Sequence, residues 1–145
     1  MKVQSLLNKF TAWIREERDI EATALIGSYA RGDANEESDV DLLLLTRQIS
    51  KYIEPAGDLR WRWVEQFGEV SRCKVEDWGA VRSLRVFYKD DLEVEFSVAL
   101  PEWADIPVDP GTHRVVSNGM KILFDPRGIL GRLQQEVLPP LRGER

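Results

Sequence analysis

The chain has 145 residues, 43% of them hydrophobic and 31% charged, with a formal net charge of −5. That composition belongs to an ordinary folded protein and excludes a disordered or a bilayer-embedded one, the longest apolar run, Leu42 to Leu45, being far short of a membrane span. The acidic balance argues against general affinity for nucleic acid, which rests on phosphate neutralisation by a basic surface, and the single cysteine, Cys73, excludes an internal disulfide.

The length fits a single domain over 1–145, burying about two-thirds of the surface that the unfolded chain exposes. The amino terminus MKVQSLLNKF has no sustained apolar core and no small-residue cleavage site, so a cytoplasmic location is expected. From Val3 to Arg18 the apolar positions Leu6, Leu7, Phe10, Trp13 and Ile14 recur at helical spacing, with Ser5 as a candidate cap. Ile20 to Ile26 reads as a strand that delivers the chain to Gly27. Val40 to Thr46 reads as a strand whose run of leucines is buried on both faces.

A loop with Pro55, Gly57 and Asp58 leads into a short helix, LRWRWVEQFG, in which Trp61, Trp63 and Val64 cannot all share one face, so one tryptophan is expected to be partly exposed. Strands follow near Val70 to Val75, Ala80 to Tyr88 and Leu92 to Ala99, the last two forming a hairpin, and Pro101, Pro107, Pro110 and Gly111 mark an irregular connection. Met120 to Phe124 is a further strand. Ile129 to Leu138 is a helix stopped by Pro139 and Pro140, before a frayed tail. Cys73 is expected as a small buried hydrophobe, and Arg82, Arg85 and Lys89 as solvated strand charges.

The chemistry concentrates in GSYARGDANEESDVDLLLL, Gly27 to Leu45. Asp39 and Asp41 are two residues apart at the head of a strand, so both carboxylates point to the same side, roughly 6 to 7 Å apart along the backbone. A Gly-Ser turn opening a short helix offers unpaired amides and a hydroxyl to an anion. Metal and phosphate would meet there, which points to phosphoryl or nucleotidyl transfer. A third carboxylate is found in DDLEVEFSVALP, where Glu93, Glu95 and Ser97 share one strand face and Leu92, Val94, Phe96 and Val98 share the other. Arg31 lies in the same turn as Ser28 and could meet phosphate. Ser38 is placed to orient the carboxylates through its hydroxyl, and Glu37 and Glu93 are reserve ligands. Asp33 and Glu36 are expected to be solvated, and His113, the only histidine, to be a satisfied loop or helix residue. There is no P-loop motif and no dinucleotide fingerprint.

Gly-Ser, a gap from Tyr29 to Ser38, Asp-x-Asp and a later acidic strand residue together resemble the polymerase-beta-like nucleotidyltransferase superfamily. The segments DDLEVEFSVALPEW and GMKILFDPRG are similar to the aminoglycoside adenylyltransferase branch, with Glu95 at a position where that branch has aspartate. In length the chain looks more like the minimal nucleotidyltransferases, which pair with a helical partner protein. The resemblance implies an α+β fold, a mixed twisted β-sheet with helices packed mainly on one face as a nucleotidyltransferase-type two-layer sandwich; the aminoglycoside branch adds a helical domain for the acceptor, which at this length the chain is expected to lack. It implies transfer of a nucleoside monophosphate, AMP from ATP or another NTP, to an acceptor hydroxyl with release of pyrophosphate.

In that reading Gly27, Ser28 and Arg31 bind the nucleotide. Asp39, Asp41 and Glu95 bind two Mg²⁺ ions, with Mn²⁺ as an alternative, and Glu95 acts as or orients the base. The expected acceptor is a small molecule rather than a nucleic acid, with a homodimer or a helical partner protein completing the cleft. Two other readings stay open at this point: a minimal nucleotidyltransferase-type antitoxin that binds or modifies a helical toxin, and a non-catalytic nucleotide-binding domain.

Overall fold

The computed structural model describes residues 2–54 and 61–138. Helix α1 (Lys2–Ile14) leads into β1 (Ile20–Ile26), and a single helical turn, α2 (Ser28–Arg31), with a loop connects it to β2 (Val40–Thr46). Next come α3 (Ile49–Ile53) and a 3₁₀ turn (Arg62–Phe67), then the strands β3 (Val70–Asp77), β4 (Val81–Tyr88) and β5 (Glu93–Ala99). A second 3₁₀ turn (Pro101–Ala104), α4 (Pro110–Ser117), β6 (Met120–Phe124) and α5 (Ile129–Val137) complete the described chain. No described helix is long and apolar enough to cross a membrane.

The strands form one six-stranded mixed sheet in the order β3-β4-β5-β2-β1-β6. β2 and β5 run parallel, and every other neighbouring pair is antiparallel. Side chains alternate across the sheet, so each central strand supplies two cores. On one face Leu25, Val40, Leu42, Leu44, Val94, Phe96 and Val98 meet Leu6, Phe10 and Ile14 of α1 and Tyr52 and Ile53 of α3. The i, i+4, i+8 spacing of Leu6, Phe10 and Ile14 is what turns one stripe of α1 to the sheet. On the other face Ala22, Ala24, Leu43 and Leu45 meet Val116 of α4 and Leu130 and Leu133 of α5, the two alanines leaving room for the leucines.

The α+β class and the mixed sheet are as the sequence led us to expect, and the larger helical layer lies on one face. The smaller layer of α4 and α5 on the opposite face was not foreseen. Pro110 and Gly111 had pointed to an irregular connection, yet Asp109 accepts the Gly111 N–H at 2.8 Å and Pro110 occupies the first helical position, so that the same residues start α4. α3, at five residues, is too short to show a period. α1 ends at Ile14 rather than Arg18, since the Glu16 and Glu17 amides turn back onto Trp13 and Ile14 carbonyls, and Ser5 lies inside the helix rather than capping it. The expected loop residues Pro55, Gly57 and Asp58, the stop at Pro139 and Pro140 and the tail lie outside the described residues.

Trp61 and Trp63 are both partly buried. Trp63 stacks on Trp13 with ring centroids 5.2 Å apart, meets Phe96 edge-on at 4.8 Å and donates its indole N–H to the Tyr52 carbonyl at 3.0 Å. Phe96, fully buried, is thus the floor of an aromatic cluster that also holds Phe10 and Phe67. Phe96→Ala is expected to lower the free energy of unfolding by about 4 kcal/mol, measured by urea denaturation, because the cavity opens beneath several rings at once.

Candidate metal and nucleotide site

The sheet register builds the site. Lys74, Arg85, Glu95, Asp41 and Ile26 are successive partners across β3, β4, β5, β2 and β1, so Arg85, Glu95 and Asp41 stand side by side on one sheet face. Asp39 precedes Asp41 by two residues on the same side. Asp39, Asp41 and Glu95 each offer an oxygen such that all three atoms lie within 4.8 Å of one another. The three residues predicted as ligands are therefore brought together, and they are the one such cluster among the described residues. The extra methylene of Glu95 does not carry it out of reach.

Gly27 sits against this cluster with φ 77° and ψ −151°, a backbone conformation that is essentially restricted to glycine. A Cβ there would lie 2.6 Å from Asp41 Oδ2, so the absence of a side chain lets the turn approach the carboxylates. α2 begins at Ser28, and the first amides of that turn precede any intrahelical acceptor. The turn is braced from behind by the α4–β6 connection. The Gly27 N–H donates to the Gly119 carbonyl at 3.3 Å, and a Cβ on Gly119 would meet Arg31 Cγ at 2.6 Å.

Arg31 is part of this brace: Nη1 donates to the Asn118 carbonyl at 2.8 Å and Nε to Asp33 at 3.0 Å. Ser38, expected to hydrogen-bond the carboxylates, instead accepts the Asn35 N–H at 3.0 Å and closes the Asn35 to Ser38 turn. Glu37 is exposed in that loop, and Glu93 pairs with Arg85. His113 lies in α4 beside Ser117, and Cys73 is half-buried on β3, its thiol pushed up to about 11 by burial.

Arg85 is the residue that sequence reasoning misplaced. Far from being a solvated strand charge, its side chain is 19% exposed. Nη1 donates to Asp39 Oδ2 at 2.9 Å and to Glu93, Nη2 lies 3.3 Å from Glu95 Oε2, and Nε donates to Glu76 Oε1 at 3.1 Å. Burial opposes its charge, but the hydrogen bonds to Asp39 and Glu93 and the charge of Glu95 hold the guanidinium protonated beyond its ordinary range. Its position within β4 carried no mark of this; only the register opposite Glu95 reveals it. Arg82 pairs instead with Glu54, and Lys89 with Glu69.

A nucleotidyltransferase-domain family profile matches residues 7–99, which spans the Gly-Ser turn and all three carboxylates. The chain belongs to the nucleotidyltransferase-domain family. This nucleotidyltransferase domain is also 35% identical over 43 residues to a Methanocaldococcus jannaschii protein named "Putative protein adenylyltransferase", a stretch that covers 30% of the chain and 43% of that relative. Among solved structures it matches an aminoglycoside 6-adenyltransferase from Bacillus subtilis with a TM-score of 0.48 and 15% identity, over 70% of the chain and 35% of the other. The chain thus matches less than half the length of the archaeal protein and about a third of the bacterial one.

The donors of the triad are all carboxylate oxygens, the hard set that suits Mg²⁺ or Mn²⁺, and Cys73 and His113 lie elsewhere. Burial pushes the Asp41 carboxyl up to about 7, and the charges of Asp39 and Glu95 and a hydrogen bond to Glu95 add to it while Arg85 opposes. A carboxyl whose pKa is raised on folding above its ordinary value of 3.8 holds its proton more tightly in the folded chain, so without metal the chain loses stability as pH rises from about 4 through about 7. Asp41→Asn is therefore expected to raise the melting temperature in EDTA at pH 8 and to change it little at pH 4, as read by differential scanning fluorimetry.

Proposed function

We propose that this domain transfers a nucleoside monophosphate, AMP from ATP, to an acceptor hydroxyl. The hydroxyl oxygen bonds to the α-phosphorus, the bond from that phosphorus to the bridging oxygen breaks, and pyrophosphate leaves with the electron pair. The observation that carries the reading is the convergence of Asp39, Asp41 and Glu95 within 4.8 Å beside the Gly27 turn. Divalent ions held there would neutralise the triphosphate and stabilise the attacking and leaving oxygens. Ser28 would present its backbone amide and hydroxyl to the β- and γ-phosphates where Gly27 lets the turn approach, the Gly27 N–H being committed to Gly119, and Arg31 keeps that turn in place through Asn118. Asp39 and Asp41 would hold those ions beside the α-phosphate, while Glu95, paired with Asp41, would take or direct the proton of the acceptor hydroxyl.

The acceptor is proposed to be a hydroxylated molecule rather than a nucleic acid, given the net charge of −5. A protein hydroxyl is the second reading, favoured by the name of the archaeal relative. Mg²⁺ and α-labelled ATP, incubated with aminoglycosides, other hydroxylated small molecules and cell lysate, will show on which class the label arrives. Asp39→Asn and Asp41→Asn are each expected to reduce labelling by about a hundredfold or more with an unchanged circular dichroism spectrum, because each removes a charge that the transition state needs. Labelling that survives both substitutions would sink the reading.

A further inference from the structure

The arrangement around Arg85 goes beyond neutralising charge. A guanidinium is a planar fork with its donors fixed in one plane, so partners on several of its edges fix its position and orientation together. Glu76 on β3 holds Nε at 3.1 Å and Glu93 on β5 holds Nη1, and neither belongs to the triad. The same guanidinium then reaches two triad members, Asp39 Oδ2 at 2.9 Å and Glu95 Oε2 at 3.3 Å. Arg85 and Glu95 are also directly opposed in the β4–β5 register, so the contact is set by backbone pairing.

Glu95 has one more side-chain torsion than an aspartate at its position would have. Left to itself, its carboxylate samples more directions than a cation site can use. We propose that Arg85 is a positioning residue for the third carboxylate: anchored by Glu76 and Glu93, it holds Glu95 in the one direction that converges with Asp39 and Asp41. A lysine at this position would keep the charge and lose the function, because a point charge with a freely rotating ammonium cannot span four carboxylates in a fixed plane. This inference rests on the reading of the triad as a divalent-cation site.

The test is a double-substitution cycle on Mn²⁺ affinity, measured by the loss of the free-ion electron paramagnetic resonance signal at pH 8.5, with circular dichroism confirming the fold of each variant. Glu95→Gln is expected to weaken Mn²⁺ binding about tenfold in the native chain and less than about threefold in an Arg85→Met background, since an unheld Glu95 contributes little to remove. Arg85→Lys is expected to behave as Arg85→Met, and it carries the cycle alone should the methionine variant not fold. Equal losses in native and Arg85-substituted backgrounds would overturn the positioning role and leave the metal site standing, as would native coupling restored by lysine. Failure of the native chain to bind Mn²⁺ would overturn the metal reading itself and the role of Arg85 with it.

Discussion

Everything at the site depends on the parallel pairing of β2 with β5. That pairing sets Asp41 opposite Glu95, and it can do so only because β3, β4 and β5 meander back to lay β5 beside β2 in the same direction. The pairing is held by apolar burial: Leu42 and Leu44 beside Phe96 and Val98 feed one core, and Leu43, Leu45 and Ala99 the other. A strand with both faces buried cannot slip by one residue without exchanging its two cores. The carboxylates are placed by the hydrophobic register a few residues away from them, and the cost of gathering acids is met by the rest of the strand.

That cost is visible in the electrostatics. Asp41, pressed against Gly27 and flanked by Asp39 and Glu95, is driven toward its neutral form, whereas Arg85 supplies an internal cation to the same group. The site is therefore strained toward accepting positive charge. Like charges are brought together where the chain alone would separate them, and a divalent ion would relieve the repulsion that the fold maintains. A site so arranged is less stable by itself than an apolar patch of equal size would be, which is the usual compromise at functional positions.

Most of the framework was legible because it obeys simple periods. β1, β2 and β6 keep the bounds read from alternation and branched residues, and the Gly-Ser turn and the Asp-x-Asp pair follow from short-range spacing. Two kinds of feature escaped. α3 and α4 are short, and in α4 the helix-starting signal of Asp109 and Pro110 was outweighed by a proline-rich setting. Arg85 escaped for a different reason: nothing within β4 distinguishes it from Arg82, and its partners Glu76, Asp39, Glu93 and Glu95 come from β3, from β5 and from the residue before β2. Its meaning lies in pairing between strands, which local pattern does not encode.

The α4–β6 connection has a bearing on where the working unit ends. The stretch that matches the family stops at residue 99, yet Gly119 lies against Gly27, and Asn118 anchors Arg31 from a distance of 87 positions along the chain. β6 also pairs with β1 directly below that turn. The part of the chain that matches the family is thus only one jaw of a vice, whose other jaw is supplied by the α4–β6 connection. Fragments trimmed to the matched stretch would retain Asp39, Asp41 and Glu95 while losing the backing that keeps the glycine turn pressed toward them.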